Sequence, residues 1–122
     1  IEIPVSNLEN SINWYVKTLG LTVQHKGPKA AMLTFDNIGV PGIYLCETED
    51  TNRIHFLNTS TGVTHSVIDF YTADLQSFYD FLVEEEVEVG ELNIKADFGG
   101  FGFKDPDGNL LSACNAIQKG QI

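Results

Sequence analysis

One pattern is written twice in this chain, and that repeat constrains its fold more than any other feature. Residues 33–47, LTFDNIGVPGIYLCE, lie over residues 101–115, FGFKDPDGNLLSACN, without a gap, setting Phe35 on Phe103 and Cys46 on Cys114. Identities are few, but the apolar positions recur in step. Upstream of each copy the same order of elements appears.

In the first copy, residues 1–5 form a short extended apolar run, and Asn7 or Ser6 makes an N-cap for a helix ending at Leu19. Leu8, Ile12, Tyr15 and Leu19 recur at helical spacing, and Gly20 stops the helix. In the second copy, residues 65–72 read as a strand, Asp74 as the N-cap, and Leu75, Phe78 and Leu82 as the buried stripe. Extended segments follow at 21–27, 29–36 and 42–48, then at 87–96, 99–104 and 109–116. Both halves read βαβββ, an α+β chain. Glu84, Glu85 and Glu86 close the second helix with like charges at its negative end, which reads as a solvated helix terminus.

A half of about 55 residues with one amphipathic helix on one sheet is marginal alone. The expectation is therefore a single domain over 1–122, with a module at about 1–49, a polar linker at 50–64 and a second module at about 65–117. The chain starts at Ile1, inside what reads as a strand, so a preceding segment is expected.

The formal charge of −10, with seven Lys and Arg scattered along the chain, argues against nucleic acid or an anionic membrane surface as partner. A cationic small molecule would be welcomed by the same field. The longest apolar runs, such as residues 30–33, fall far short of the roughly 20 residues needed to cross a bilayer. Two cysteines, Cys46 and Cys114, lack zinc-site spacing and read as free thiols of a reducing, cytoplasmic compartment.

The stretch FKDPDGN, residues 103–109, carries two carboxylates and a glycine. Asp-Pro-Asp-Gly has the chemistry of a tight turn between antiparallel strands. A calcium loop would need a bidentate Glu after the glycine, and residues 109–116 hold no carboxylate. The turn reading is preferred.

With the βαβββ repeat, the opening IPVSNLENSINWYVKTLGL and the close FGFKDPDGNLLSACN, the chain resembles the vicinal oxygen chelate superfamily. Its members include glyoxalase I, extradiol dioxygenases, fosfomycin-resistance enzymes and bleomycin-binding proteins. The resemblance implies a curled mixed sheet around a concave central cavity, with helices on the outer face. It also implies homodimers. Metal-dependent members hold a divalent ion with four side chains, one from the first and one from the last strand of each half. Carried over by spacing, those slots fall on Ser112, Tyr44 and Val67, with the fourth one residue before Ile1. Valine cannot ligate, and neutral hydroxyls are poor donors, so no metal and no other cofactor is expected. Under an alternative reading, His65 enters the slot beside Asp69, with Glu47 as another donor, and a divalent metal serves a glyoxalase-type lyase, isomerase or dioxygenase. Asp69 with His65 could also pair as acid and base without metal.

Strand alternation assigns the inner face to Met32, Thr34, Tyr44, Cys46, His65, Val67, Asp69, Gly100, Gly102, Ser112 and Cys114. The helix-facing set, which includes Leu33, Ile43, Leu45, Phe101, Phe103 and Leu111, is almost wholly apolar. Such a mixed inner face is the make-up of a small-molecule pocket. Met32, Tyr44, His65, Val67, Asp69, Gly102 and Ser112 are the expected ligand-binding residues. Gly100 and Gly102 either leave room for a ligand or relieve backbone crowding.

Overall fold

The computed structural model describes residues 1–95, 98–117 and 119–120. The last residue of the extended stretch expected over 87–96 lies outside them.

The first βαβββ module runs β1 (Glu2–Val5), α1 (Leu8–Leu19), β2 (Thr22–Lys26), β3 (Ala30–Thr34) and β4 (Ile43–Glu47). A hairpin of β5 (Phe56–Asn58) and β6 (Val63–His65) follows. The second module runs β7 (Asp69–Tyr71), α2 (Leu75–Glu84), β8 (Asn93–Ile94), β9 (Gly99–Lys104) and β10 (Leu110–Cys114). The strands divide into two four-stranded sheets of matching order, β1-β4-β3-β2 and β7-β10-β9-β8, each with one parallel pair and two antiparallel ones. This is the α+β repeat expected from the sequence.

Local chemistry explains the helix ends. The Asn7 side chain accepts the Asn10 amide at 3.0 Å, and Gly20, at φ 71°, returns its N–H to the Val16 carbonyl. Asp74 accepts both the Ser77 amide at 3.0 Å and the Ser77 hydroxyl at 2.7 Å. The second helix closes with a Schellman pair of hydrogen bonds, Val87 N–H to Leu82 O and Glu86 N–H to Val83 O. That motif puts Glu86 at φ 61°, a conformation that suits glycine far better.

Alternation along the strands is as the sequence implies. Leu33, Ile43 and Leu45 are buried in the first module and Phe101, Phe103, Leu111 and Ala113 in the second, while the residues between them stay half-exposed. Leu8, Ile12 and Tyr15 of α1 are buried, as are Leu75 and Leu82 of α2. Phe78 of α2 meets Phe103 edge-on at 5.7 Å. Each such large apolar side chain contributes about 1.5–3 kcal/mol when fully buried.

Three expectations need correction. Leu33 pairs with Ile43, ten positions on, whereas Phe103 pairs with Leu111, eight positions on. Leu33, not Phe35, is thus the counterpart of Phe103, because the first connection is longer by two residues. Second, residues 65–72 are not one strand. β6 pairs with β5, β7 pairs with β10, and a bend separates them, with Ser66 bonding both the amide and the carbonyl of Ile68. Third, the linker expected at 50–64 carries β5 and most of β6, closed by a turn with Gly62 at φ 75°.

The chain separates into two compact units, Ile1–Ile54 with Pro106–Asn109, and His55–Asp105 with Leu110–Ile122. The DPDGN turn therefore does more than reverse the chain. Within the first unit, Asp107 accepts the Ser6 amide at 3.1 Å and pairs with Arg53 at 3.6 Å, the two side chains being 7% and 16% exposed. Arg53 Nε also donates to the Asp107 carbonyl at 2.8 Å. Asn109, wholly buried, donates to the Pro4 carbonyl at 2.8 Å and accepts the Ile54 amide at 3.2 Å. Among the described residues, no helix is long and apolar enough to cross a membrane.

Candidate functional site

Within the second unit, β6, β7, β9, β10 and the segment 88–93 enclose a cleft of about 640 Å³. Its floor follows from strand alternation. Phe101, Phe103, Leu111 and Ala113 turn their side chains to the core, which leaves Gly100, Gly102, Ser112 and Cys114 to face the cleft. Gly102 stands opposite Ser112 and Gly100 opposite Cys114.

The two glycines have different causes. A Cβ on Gly100 would stand 2.8 Å from the Ala113 carbonyl oxygen, so close backbone approach requires glycine there. A Cβ on Gly102 would meet the end of the Leu110 side chain at 3.4 Å and the Leu111 carbonyl at 3.7 Å, which is ordinary contact. The space above Gly102 is not a by-product of backbone packing.

Asp69 lies in register with Ser112 on the neighbouring strand. The Ser112 hydroxyl sits against Asp69 Oδ1 and 2.9 Å from the Ile68 carbonyl. His65 reaches the cleft from the hairpin. Its ring stacks on Phe56 with centroids 5.4 Å apart, and Nε2 lies 3.4 Å from the Asn58 side-chain nitrogen. Glu88 and Lys104 form an ion pair of 3.5 Å on the cleft wall, with Glu91 nearby along the same segment.

Of the residues expected to bind a ligand, His65, Asp69, Gly102 and Ser112 line this cleft. Val67 does not; it sits in the bend, 59% exposed, because the strand expected to carry it inward is interrupted there. Met32 and Tyr44 belong to the first unit, where they face each other across β3 and β4, half-buried. Phe98, Val63, Glu88, Glu91 and Lys104 also line the cleft and were not anticipated. The apolar Phe98, just before a Gly-Gly pair, was the readable signal among them.

Among the described residues, no three His, Cys, Asp or Glu side chains converge. Glu47, weighed as a further donor, instead accepts the Leu8 amide at 2.9 Å and the Lys29 ammonium at 2.6 Å. The Lys29 hydrogen bond, more than the Leu8 amide, holds its carboxyl below the usual range. Burial, with Glu2 adding to it, pushes the Cys46 thiol up, the opposite of what a nucleophile needs.

Residues 1–112 match the model of the Glyoxalase/Bleomycin resistance protein/Dioxygenase superfamily. The chain belongs to that superfamily. Solved structures share its fold. FosX, a genomically encoded fosfomycin resistance protein from Listeria monocytogenes, superposes with a TM-score of 0.75 at 13% identity, over 98% of this chain and 91% of that one. An integron cassette protein from the mobile metagenome of the Halifax Harbour sewage outfall gives 0.74 at 19%, over 96% and 95%. TnmS3, an antibiotic binding protein from Streptomyces sp. CB03234, gives 0.65 at 22%, over 93% and 89%. At these identities the likeness is one of fold. A search of curated proteins finds no match.

Proposed function

We propose that this superfamily member is a metal-independent small-molecule-binding protein whose ligand occupies the cleft over Gly102 and Ser112, with no cofactor. The observation that carries this reading is the cleft lined by Gly102, where a Cβ would meet Leu110 and Leu111 only at ordinary contact distance, so backbone crowding does not require the glycine. A wall of small and apolar groups with a few polar atoms is the composition of a ligand pocket. Carboxylates at Asp69, Glu88 and Glu91 make the cleft acidic, in keeping with the charge of the whole chain. The fold shared with an antibiotic binding protein supports the same reading.

The rival is a metal-dependent lyase, isomerase or dioxygenase built around His65. Its support is that His65 and Asp69 line the same cleft. Against it stands that no third donor joins them among the described residues. Elemental analysis of the purified protein separates the two: stoichiometric Ni, Zn, Mn or Fe, lost in His65→Ala, overturns the metal-independent reading. A thermal-shift screen of small molecules then tests binding. Hits should raise the Tm of the native chain and not of Gly102→Leu, whose side chain occupies the space. The reading also places the protein in the cytoplasm, where free thiols persist, and as a homodimer, which light scattering would test.

A further inference from the structure

We infer that Asp69, held by Ser112, is the anchor for a protonated nitrogen of the cleft's ligand, so that the ligand class is an organic ammonium or amidinium carrying a flat apolar group. This rests on the small-molecule reading of the cleft. The two side chains project from adjacent strands in register, and the Ser112 hydroxyl, with one proton to donate, lies against Asp69 Oδ1, while the nearby Ile68 carbonyl already accepts the Ser66 hydroxyl and the Ser112 amide. A carboxylate gripped at one oxygen keeps one rotamer, which removes part of the entropy cost of binding. Its other oxygen, Oδ2, takes no hydrogen bond among the described residues, and Asp69 is exposed to the cleft.

Asp69 is exposed, and Gly102, in register with Ser112, adds no side chain to that part of the cleft. The neighbouring charges leave Asp69 unneutralised. Lys104 is engaged by Glu88 at 3.5 Å, and His65 is stacked on Phe56 beside Asn58. Glu91 adds a further negative charge to the wall. Phe98, 56% exposed on the cleft wall, offers a flat apolar face. An N–H⁺ donor bonding a carboxylate in such a recess makes a charge-assisted hydrogen bond that a neutral analogue cannot reproduce.

Three probes that share one ring and differ in charge test this: 1-naphthylmethylamine, 1-naphthylmethanol and 1-naphthoate, titrated by naphthalene fluorescence. The amine should bind at least about tenfold tighter than the alcohol, and the acid weakest. In Asp69→Asn the amine should fall to the affinity of the alcohol. In Ser112→Ala the amine should lose part of its advantage while the alcohol is unchanged, which a general loss of structure would not produce. Equal affinity of amine and alcohol for the native chain, or an undiminished advantage in Asp69→Asn, overturns the anchor. If in that case Gly102→Leu abolishes binding, the small-molecule reading survives. If none of the three binds the native chain below about 1 mM, the anchor and that reading fall together.

Discussion

The two modules share strand order, helix placement and pairing register, yet one carries large side chains on the face away from its helix and the other small ones. Where Met32 faces Tyr44 in the first, Gly102 faces Ser112 in the second. Their helix-facing positions are occupied alike, by Leu33, Ile43 and Leu45 in one and Phe103, Leu111 and Ala113 in the other. A sheet face covered by a helix must exclude water, so its composition is set by the hydrophobic effect. The opposite face carries no such demand, so Gly102 and Ser112 can line a cleft where Met32 and Tyr44 stand in the first module.

The connections differ as sharply. The loop between β3 and β4 is exposed, with Ile38 fully in solvent, whereas the shorter turn between β9 and β10 buries Asp105 and Asn109. The largest effect should come from this contrast. Asn109→Ala leaves the Pro4 carbonyl and the Ile54 amide without their partner, and should cost about 2–4 kcal/mol in urea unfolding. Ile38→Ser should stay within about 0.5 kcal/mol. Equal costs at the two sites would break the contrast.

The glycines test whether the open face is a matter of backbone or of space. Gly100→Ala forces a methyl group against the Ala113 carbonyl and should cost about 2 kcal/mol. Gly102→Ala should change stability by less than about 0.5 kcal/mol, because the Leu110 side chain can give way. If both cost the same, the cleft is a consequence of strand packing.

How much of this was legible in the sequence depends on how local the physics is. Asn7, Gly20 and Asp74 were readable because a cap is decided by a few neighbouring atoms. The faces of β3, β4, β9 and β10 were readable too, and they survived the misplacement of Phe35 on Phe103, since a shift of two residues preserves strand alternation. The break between His65 and Asp69 was not readable. Residues 63–65 pair with the nearby 56–58 and not with the distant β10 that Asp69 joins, which takes His65 onto the hairpin and leaves Val67 in a bend. Arg53 gave no signal at all, because its value lies in Asp107, 54 positions away.

The helix ends sharpen the comparison at a smaller scale. Gly20 closes α1 in the left-handed region, and Glu86 does the same for α2 at φ 61°. Glu86→Gly should stabilise the chain by about 1 kcal/mol, combining relief of that conformation with removal of a negative charge from the negative helix end. Thermal unfolding of the variant reads it directly. A loss of stability would mean that the Glu86 side chain makes a contribution larger than its backbone cost.

The helix starts should differ least in size, and most clearly in pH dependence. α1 is capped by the neutral Asn7 and α2 by Asp74, whose carboxyl is held below the usual aspartate range first by the Ser77 amide and then by its hydroxyl. A depressed folded-state pKa means that the unfolded chain takes up the proton first. The cap's ionic contribution is therefore complete above the unfolded pKa of about 3.9 and is lost as pH falls through the lower folded value. Asp74→Asn keeps an acceptor for the Ser77 amide, so at pH 7 stability should change little. Below pH about 4 the variant should lose stability less steeply than the native chain. Glu47, also depressed, remains in both proteins and supplies a shared acid-side slope, so the difference between the two curves isolates Asp74. Parallel curves down to about pH 2 would show that the cap acts through its neutral hydrogen bond alone, as Asn7 does in the first module.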